Sequence, residues 1–142
     1  MLLANELLFL TAEKTALANA TGGFARNLVV LALEEPNAAA NRDFLTKVLA
    51  AANLNLAQDA RFAEIPANES RALAPDLNEF KPKHVLIFGL SPAQLGLSFV
   101  VQAYQPCSFY GYTWLFADQL SALEPDKNKK TQLWSALKQI FL

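Results

Sequence analysis

The sequence predicts an α/β protein: one domain, residues 1–142, with helices on both faces of a mainly parallel sheet. Three observations carry that expectation. Asn27–Leu33 (NLVVLAL) and Lys83–Leu90 (KHVLIFGL) are continuous apolar runs without the alternation of a half-exposed strand, the pattern of central strands covered on both faces. Helical spacing alternates with such runs along the chain, which argues for right-handed crossovers between parallel strands. A length of 142 residues suits one sizeable core rather than two.

Taken in order, Leu2, Leu3, Leu7, Leu8 and Leu10 fall mostly on one helical face and Leu17 extends the stripe, so 3–19 reads as an amphipathic helix or two short ones. NATGG stops it, giving an N-terminal helical segment at 1–22 and an α/β core at 23–142. The first strand is Asn27–Leu33. After the EEPN loop, Phe44, Leu45, Val48, Leu49 and Ala52 recur at helical spacing, with Asn41 as the expected N-cap. ARFAEIP reads as a short second strand closed by Pro66, and LAPDLNEFKP as loop with at most one helical turn. Lys83–Leu90 is the strongest strand. Ser91 and Pro92 open a helical turn that Gly96 breaks, and Phe109–Ala117 restores strand character, with Gly111 marking a bulge or a close backbone approach. The sheet then has about four strands.

The closing stretch LFADQLSALEPDKNKKTQLWSALKQIFL adds two helical pieces. Ser121 and Glu124 have capping-box spacing for a short turn ended by Pro125. Asp126 or Asn128 then caps a last helix whose Leu133, Trp134, Leu137, Ile140 and Phe141 form one stripe, with Trp134 read as the anchor of that helix on the sheet. Lys127, Lys129 and Lys130 crowd the start of that helix, where cations oppose the macrodipole, so they read as a solvated face or a contact for an acidic surface.

Composition excludes several classes of function. Just over half the residues are apolar (53%) and 18% are charged, so the chain folds around a large core. A net charge of −1 leaves no overall basic footprint, and nucleic-acid contact is at most indirect. Cys107 is the single cysteine, which excludes an intramolecular disulfide and a multi-cysteine metal site and suits the cytoplasm. The apolar opening MLLANELLFL is interrupted by Glu6 and lacks a basic flank, so it does not read as an export signal, and no run reaches the roughly 20 apolar residues of a membrane span. No metal site or cofactor motif is expected: ligand count fails, and neither a phosphate loop nor a dinucleotide fingerprint occurs. Ser91, Ser98, His84 and Asp118 lack the serine-presenting elbow of a hydrolase triad. Cys107 has no nearby base and reads as an inert thiol, and Tyr104–Phe116, without basic residues, reads as packing rather than base stacking.

LFADQLSALEPDKNKKTQLWSALKQI resembles the C-terminal signature of the psi subunit of bacterial DNA polymerase III: a strand, a small-polar-Leu turn, a spacer and a helix bearing Leu-Trp. NLVVLALEEP, RDFLTKVLAAANLNL and ARFAEIP resemble the upstream psi order of strand, Pro-containing loop, helix and strand. The resemblance covers 27–66 and 115–140. It implies a three-layer α/β/α fold of the uracil-DNA-glycosylase type without that activity. Active glycosylases of the fold carry a Gly-Gln-Asp-Pro-type motif after the first strand and a distal His-Pro-Ser motif. Here those slots read LEEP and FADQLSAL, leaving Glu35 as a possible carboxylate and no histidine. The only histidine, His84, opens a strand, at the opposite edge from where such sites form.

The expected function is therefore a non-enzymatic accessory subunit of the bacterial replication machinery that binds clamp-loader or other replication proteins. By position, Leu3, Leu7, Leu8 and Leu10 correspond to the psi segment that engages the clamp loader, although a first helix packed on the sheet would use them equally well. The alternative is a divergent enzyme or small-ligand-binding protein on the same fold with Glu34 and Glu35 in its cleft.

Overall fold

The structure, a computed structural model, describes Leu17 and residues 20–97, 102–109 and 111–141. Leu3, Leu7, Leu8 and Leu10 lie outside the described residues. The chain is a mixed α/β fold whose five-stranded sheet has the order β2-β1-β3-β5-β4, with β1 at Leu28–Leu33, β2 at Ala60–Ile65, β3 at His84–Phe88, β4 at Cys107–Phe109 and β5 at Tyr112–Ala117. β2, β1, β3 and β5 are mutually parallel and β4 pairs antiparallel with β5. The two unalternating apolar runs are adjacent interior strands, in register from Leu28 opposite His84 to Ala32 opposite Phe88. Thr21 forms an antiparallel bridge with Phe62 on the outer side of β2.

Both sheet faces are buried, which explains the missing alternation. Leu28, Val30 and Ala32 point into one apolar cluster with Leu86, Phe88 and Leu115, while Val29 and Leu31 point into a second with Val85, Ile87 and Trp114. The first cluster is covered by α1 (Ala38–Ala51) through Leu45 and Leu49, by α2 (Leu56–Asp59) through Leu56, by α4 (Leu120–Leu123) through Leu120 and Leu123, and by α5 (Lys127–Phe141) through Leu133, Ala136 and Leu137. The second is covered by Leu77 of α3 (Ala74–Phe80), by Leu95 of a 3₁₀ turn at Ala93–Leu95, and by Leu17, whose N–H donates to Asp76 Oδ2 at 3.0 Å.

Several local expectations are corrected. The fifth strand arises because Phe109–Ala117 is not one bulged strand: Phe109 pairs with Tyr112 across a hairpin, and Gly111 at φ 85° has the positive φ that tight hairpin turns require. LAPDLNEF forms a true helix, α3, with proline in its first turn and Lys81 in the left-handed conformation at its end. Asn41 does not cap α1, which starts at Ala38; it is a buried residue of the helix, its N–H already bonded to the Asn37 carbonyl. Ser121 lies inside α4 rather than at its cap, which Gln119 occupies. Asp126 does cap α5, its Oδ1 accepting from Lys129 N–H at 3.1 Å. Trp134 is only half-buried, while Trp114 on β5 is fully buried (0% exposed) and stacks on Phe116. The helix stripe predicted for α5 is real, but Leu133, Ala136 and Leu137 fill the core and Trp134 sits on its margin.

Candidate functional site at the carboxyl edge of the sheet

In an open parallel sheet, ligands gather where neighbouring crossovers leave the carboxyl edge in opposite directions. Here that point lies between β1 and β3, because β1 leads to β2 on one side and β2 returns to β3 on the other. The residues that emerge there are Glu34 and Glu35 after β1, Gly89 after β3 and, from β5 alongside, Asp118 and Gln119.

Glu35 is not a free carboxylate. It accepts from Asn41 Nδ2 of α1 at 3.1 Å, from the Ser121 N–H of α4 at 3.3 Å, and from the Ser121 hydroxyl. One side chain thus joins the loop after β1 to two helices, and the Ser121 contact spans 86 positions of sequence. Beside it, Gly89 at φ 79° is in close contact with the chain that follows β5. A Cβ on Gly89 would lie 2.7 Å from Gln119 Cβ, 2.9 Å from its Cα and 3.1 Å from Leu33 Cβ. At this edge the chain after β5 therefore packs closely on Gly89, and Glu35 is bonded to Ser121 beside it.

The remaining polar groups of this edge are similarly engaged or dispersed. Glu34 is exposed, with its N–H bonded to the Ile65 carbonyl at 2.9 Å. Glu64, near the end of β2, has its carboxyl pushed above the usual range by burial first and then by the neighbouring Glu34. Asp118 accepts from the Tyr104 hydroxyl at 2.6 Å and pairs with Lys129 at 3.3 Å. The Tyr104 bond is the main cause that holds the Asp118 carboxyl below its ordinary value. Burial and the same bond push the Tyr104 phenol upward. These contacts tie the 102–106 loop and α5 to the end of β5.

No protein-family model matches the sequence, and no curated protein matches it.

His84 lies at the other edge of the sheet. It opens β3 opposite Leu28, so about 17 Å of strand separates its level from the end of β1. Its ring packs on Phe141 with centroids 4.7 Å apart, and burial, then Lys83 and Arg26, lower its pKa. Cys107 is half-buried on β4, its thiol pushed up by burial, and is not a preformed thiolate nucleophile. Among the described residues no three His, Cys, Asp or Glu side chains come together as a metal site, and no helix is long and apolar enough to cross a membrane. Sequence reasoning picked Glu35 and missed Asn41, Ser121, Gly89 and Gln119 as its setting. Those residues reach it only through the folded topology, and no local spacing announces them.

Proposed function

We propose that this chain is a non-catalytic accessory subunit of the bacterial replication machinery, psi-like, that acts by holding clamp-loader or other replication proteins together. The observation that carries the non-catalytic reading is the engagement of Glu35: the carboxylate that the resemblance puts in the position for water activation accepts from Asn41 and Ser121, and the chain after β5 packs closely on Gly89 beside it. Catalysis at such a position requires a carboxylate within reach of a water or a substrate proton and room for the reacting group. The replication assignment draws on the resemblance of residues 27–66 and 115–140 to the psi pattern, and on β1, α1, the short α2 and β2, which follow one another through 28–65. A three-layer α/β/α arrangement and a cytoplasmic setting belong to the same proposal. They are supported by the two apolar clusters on opposite sheet faces and by a lone free cysteine.

Purified chain mixed with the clamp-loader complex of its own cell should co-elute with it, and should release no uracil from single- or double-stranded oligonucleotides. Failure to co-elute overturns the replication role. Uracil excision that disappears in the Glu35→Gln protein overturns the non-catalytic reading and promotes the alternative, a divergent enzyme or ligand-binding protein using Glu34 and Glu35, for which the raised Glu64 carboxyl beside Glu34 is the favouring observation.

A further inference from the structure

On the sheet face covered by α1 and α5, the two helices leave a furrow of ≈ 380 Å³ between them. Its floor is Phe44 and Val48 of α1 and Leu133 and Trp134 of α5; its rim carries Lys47 and Lys130. The floor is apolar and, apart from buried Leu133, half-buried, so it offers surface to a partner. The charge of its two walls is one-sided. α1 and α5 hold Arg42, Lys47, Lys127, Lys129, Lys130 and Lys138, half of the chain's 12 basic side chains, of which Arg42 turns away to Thr21 and the Phe62 ring, and Asp43 is the only acid on either helix. Asp43 pairs with Lys47 in an exposed i,i+4 contact, and Lys129 turns to Asp118. Lys138 lies over the Trp134 ring at 5.9 Å, and no described carboxylate pairs with it or with Lys130. In a protein of net charge −1, this concentrates positive potential around an apolar slot.

We propose that the α1–α5 furrow docks an acidic segment of a partner protein, its apolar side chains seated on Phe44, Val48 and Trp134 and its carboxylates meeting Lys47, Lys130 and Lys138. An amphipathic helix laid in a groove between helices is a common mode of recognition and satisfies both features at once. A second copy using the same face would set lysines against lysines across a two-fold axis. Nucleic acid would use the cations and leave most of the apolar floor idle, since phosphate contacts need charge alone. The inference rests on the protein-binding half of the proposed function and not on its replication partner.

The chain has two tryptophans, one of them fully buried, so their indole N–H signals separate the furrow from the core. The probe is a synthetic helical peptide of about four turns, leucines at i, i+4 and i+7 and glutamates elsewhere, with a lysine-for-glutamate version as control. The glutamate peptide should move the Trp134 indole signal and leave that of Trp114 in place, and the lysine peptide should do neither. Lys47→Glu with Lys130→Glu should weaken binding about 10-fold or more, and added salt should weaken it in the unaltered protein. Both lysines are exposed, and an acid at position 130 suits the first turn of α5, so the variant folds; an unchanged far-UV spectrum verifies it. Equal binding of both peptides, no shift with the glutamate peptide, or full binding by the charge-reversed variant overturns the proposal. So does a Trp134 shift that a single-stranded oligonucleotide produces and the glutamate peptide does not, or one that follows protein concentration alone. Because no clamp-loader protein is present, this result and the co-elution result can fail separately.

Discussion

Replacing Glu35 by alanine separates a structural carboxylate from a catalytic one, because the two predict opposite changes in stability. In the native protein Glu35 accepts from Asn41, which is only 3% exposed, and from the Ser121 N–H and hydroxyl. Hydrogen bonds to a charged group contribute about 1.5–3 kcal/mol, and a buried donor left unpaired costs about 1–3 kcal/mol. The half-buried Ser121 donors turn to water more readily than Asn41 does, so the loss is about 2–4 kcal/mol rather than the full sum of bonds. With a urea slope of about 2 kcal/mol/M, the unfolding midpoint should fall by about 1–2 M. Glu35→Gln keeps one acceptor oxygen and should lose about 1 kcal/mol. Glu34→Ala, at an exposed position, should stay within about 0.5 kcal/mol. A double-mutant cycle with Ser121→Ala should return a coupling of about 0.5–3 kcal/mol, the range for directly bonded pairs. If Glu35→Ala lowers the midpoint no more than Glu34→Ala, or raises it, the carboxylate is not the clamp described above. A gain in stability would mark it as held in place for chemistry at the expense of the fold.

Three other outcomes test the architecture. Trp114→Ala should cost about 3–5 kcal/mol by denaturant unfolding and Trp134→Ala only about 1–2 kcal/mol, reflecting full against partial burial; equal costs would contradict the placement of Trp134 at the furrow. Gly89→Ala should destabilise more than Gly96→Ala: both have positive φ, but only the first new Cβ meets Gln119 and Leu33, adding to a backbone strain of about 1–3 kcal/mol, and equal midpoints would mean that the packing on Gly89 has slack. His84, lowered by burial, should titrate by NMR below its ordinary value of 6.5, and Phe141→Ala should move it back up. Because its folded pKa is depressed, its contribution to stability is present above the unfolded pKa and lost as pH falls through the folded one; a midpoint at or above 6.5 would refute this.

The parts of the fold legible in the sequence are those whose burial is symmetrical. β1 and β3 are covered on both faces, so their residues must all be apolar, and a run such as VVLAL or HVLIF announces itself without reference to any neighbour. The β4–β5 hairpin was less visible because aromatics occupy both of its arms and only Gly111 marks the turn, which a bulge would equally require. Spacing also misled at Ser121 and Asn41. Both look like caps from their neighbours, yet each gives its side chain to Glu35, one from 86 positions away. Trp134 differs for a related reason: a helical stripe fixes which face is apolar, not how far across that face the neighbouring helix extends. The gap between α1 and α5 exists only in the packed molecule.

The contacts made by Glu35 and Asp118 also fix the helices that border the furrow. α1 is held to the sheet by Leu45 and Leu49 and, at its first turn, by the Asn41 bond to Glu35; α4 shares that carboxylate, and α5 begins after a three-residue gap, capped by Asp126 and tied to the end of β5 through Lys129 and Asp118. Both walls of the furrow are therefore anchored at the same end, near the carboxyl edge, before any partner arrives. A surface ordered in advance loses less conformational entropy on binding than one that must assemble, so more of its contact energy appears as affinity. Glu35→Ala, by loosening α1 against α4, should therefore weaken peptide binding at the furrow although Glu35 does not line it.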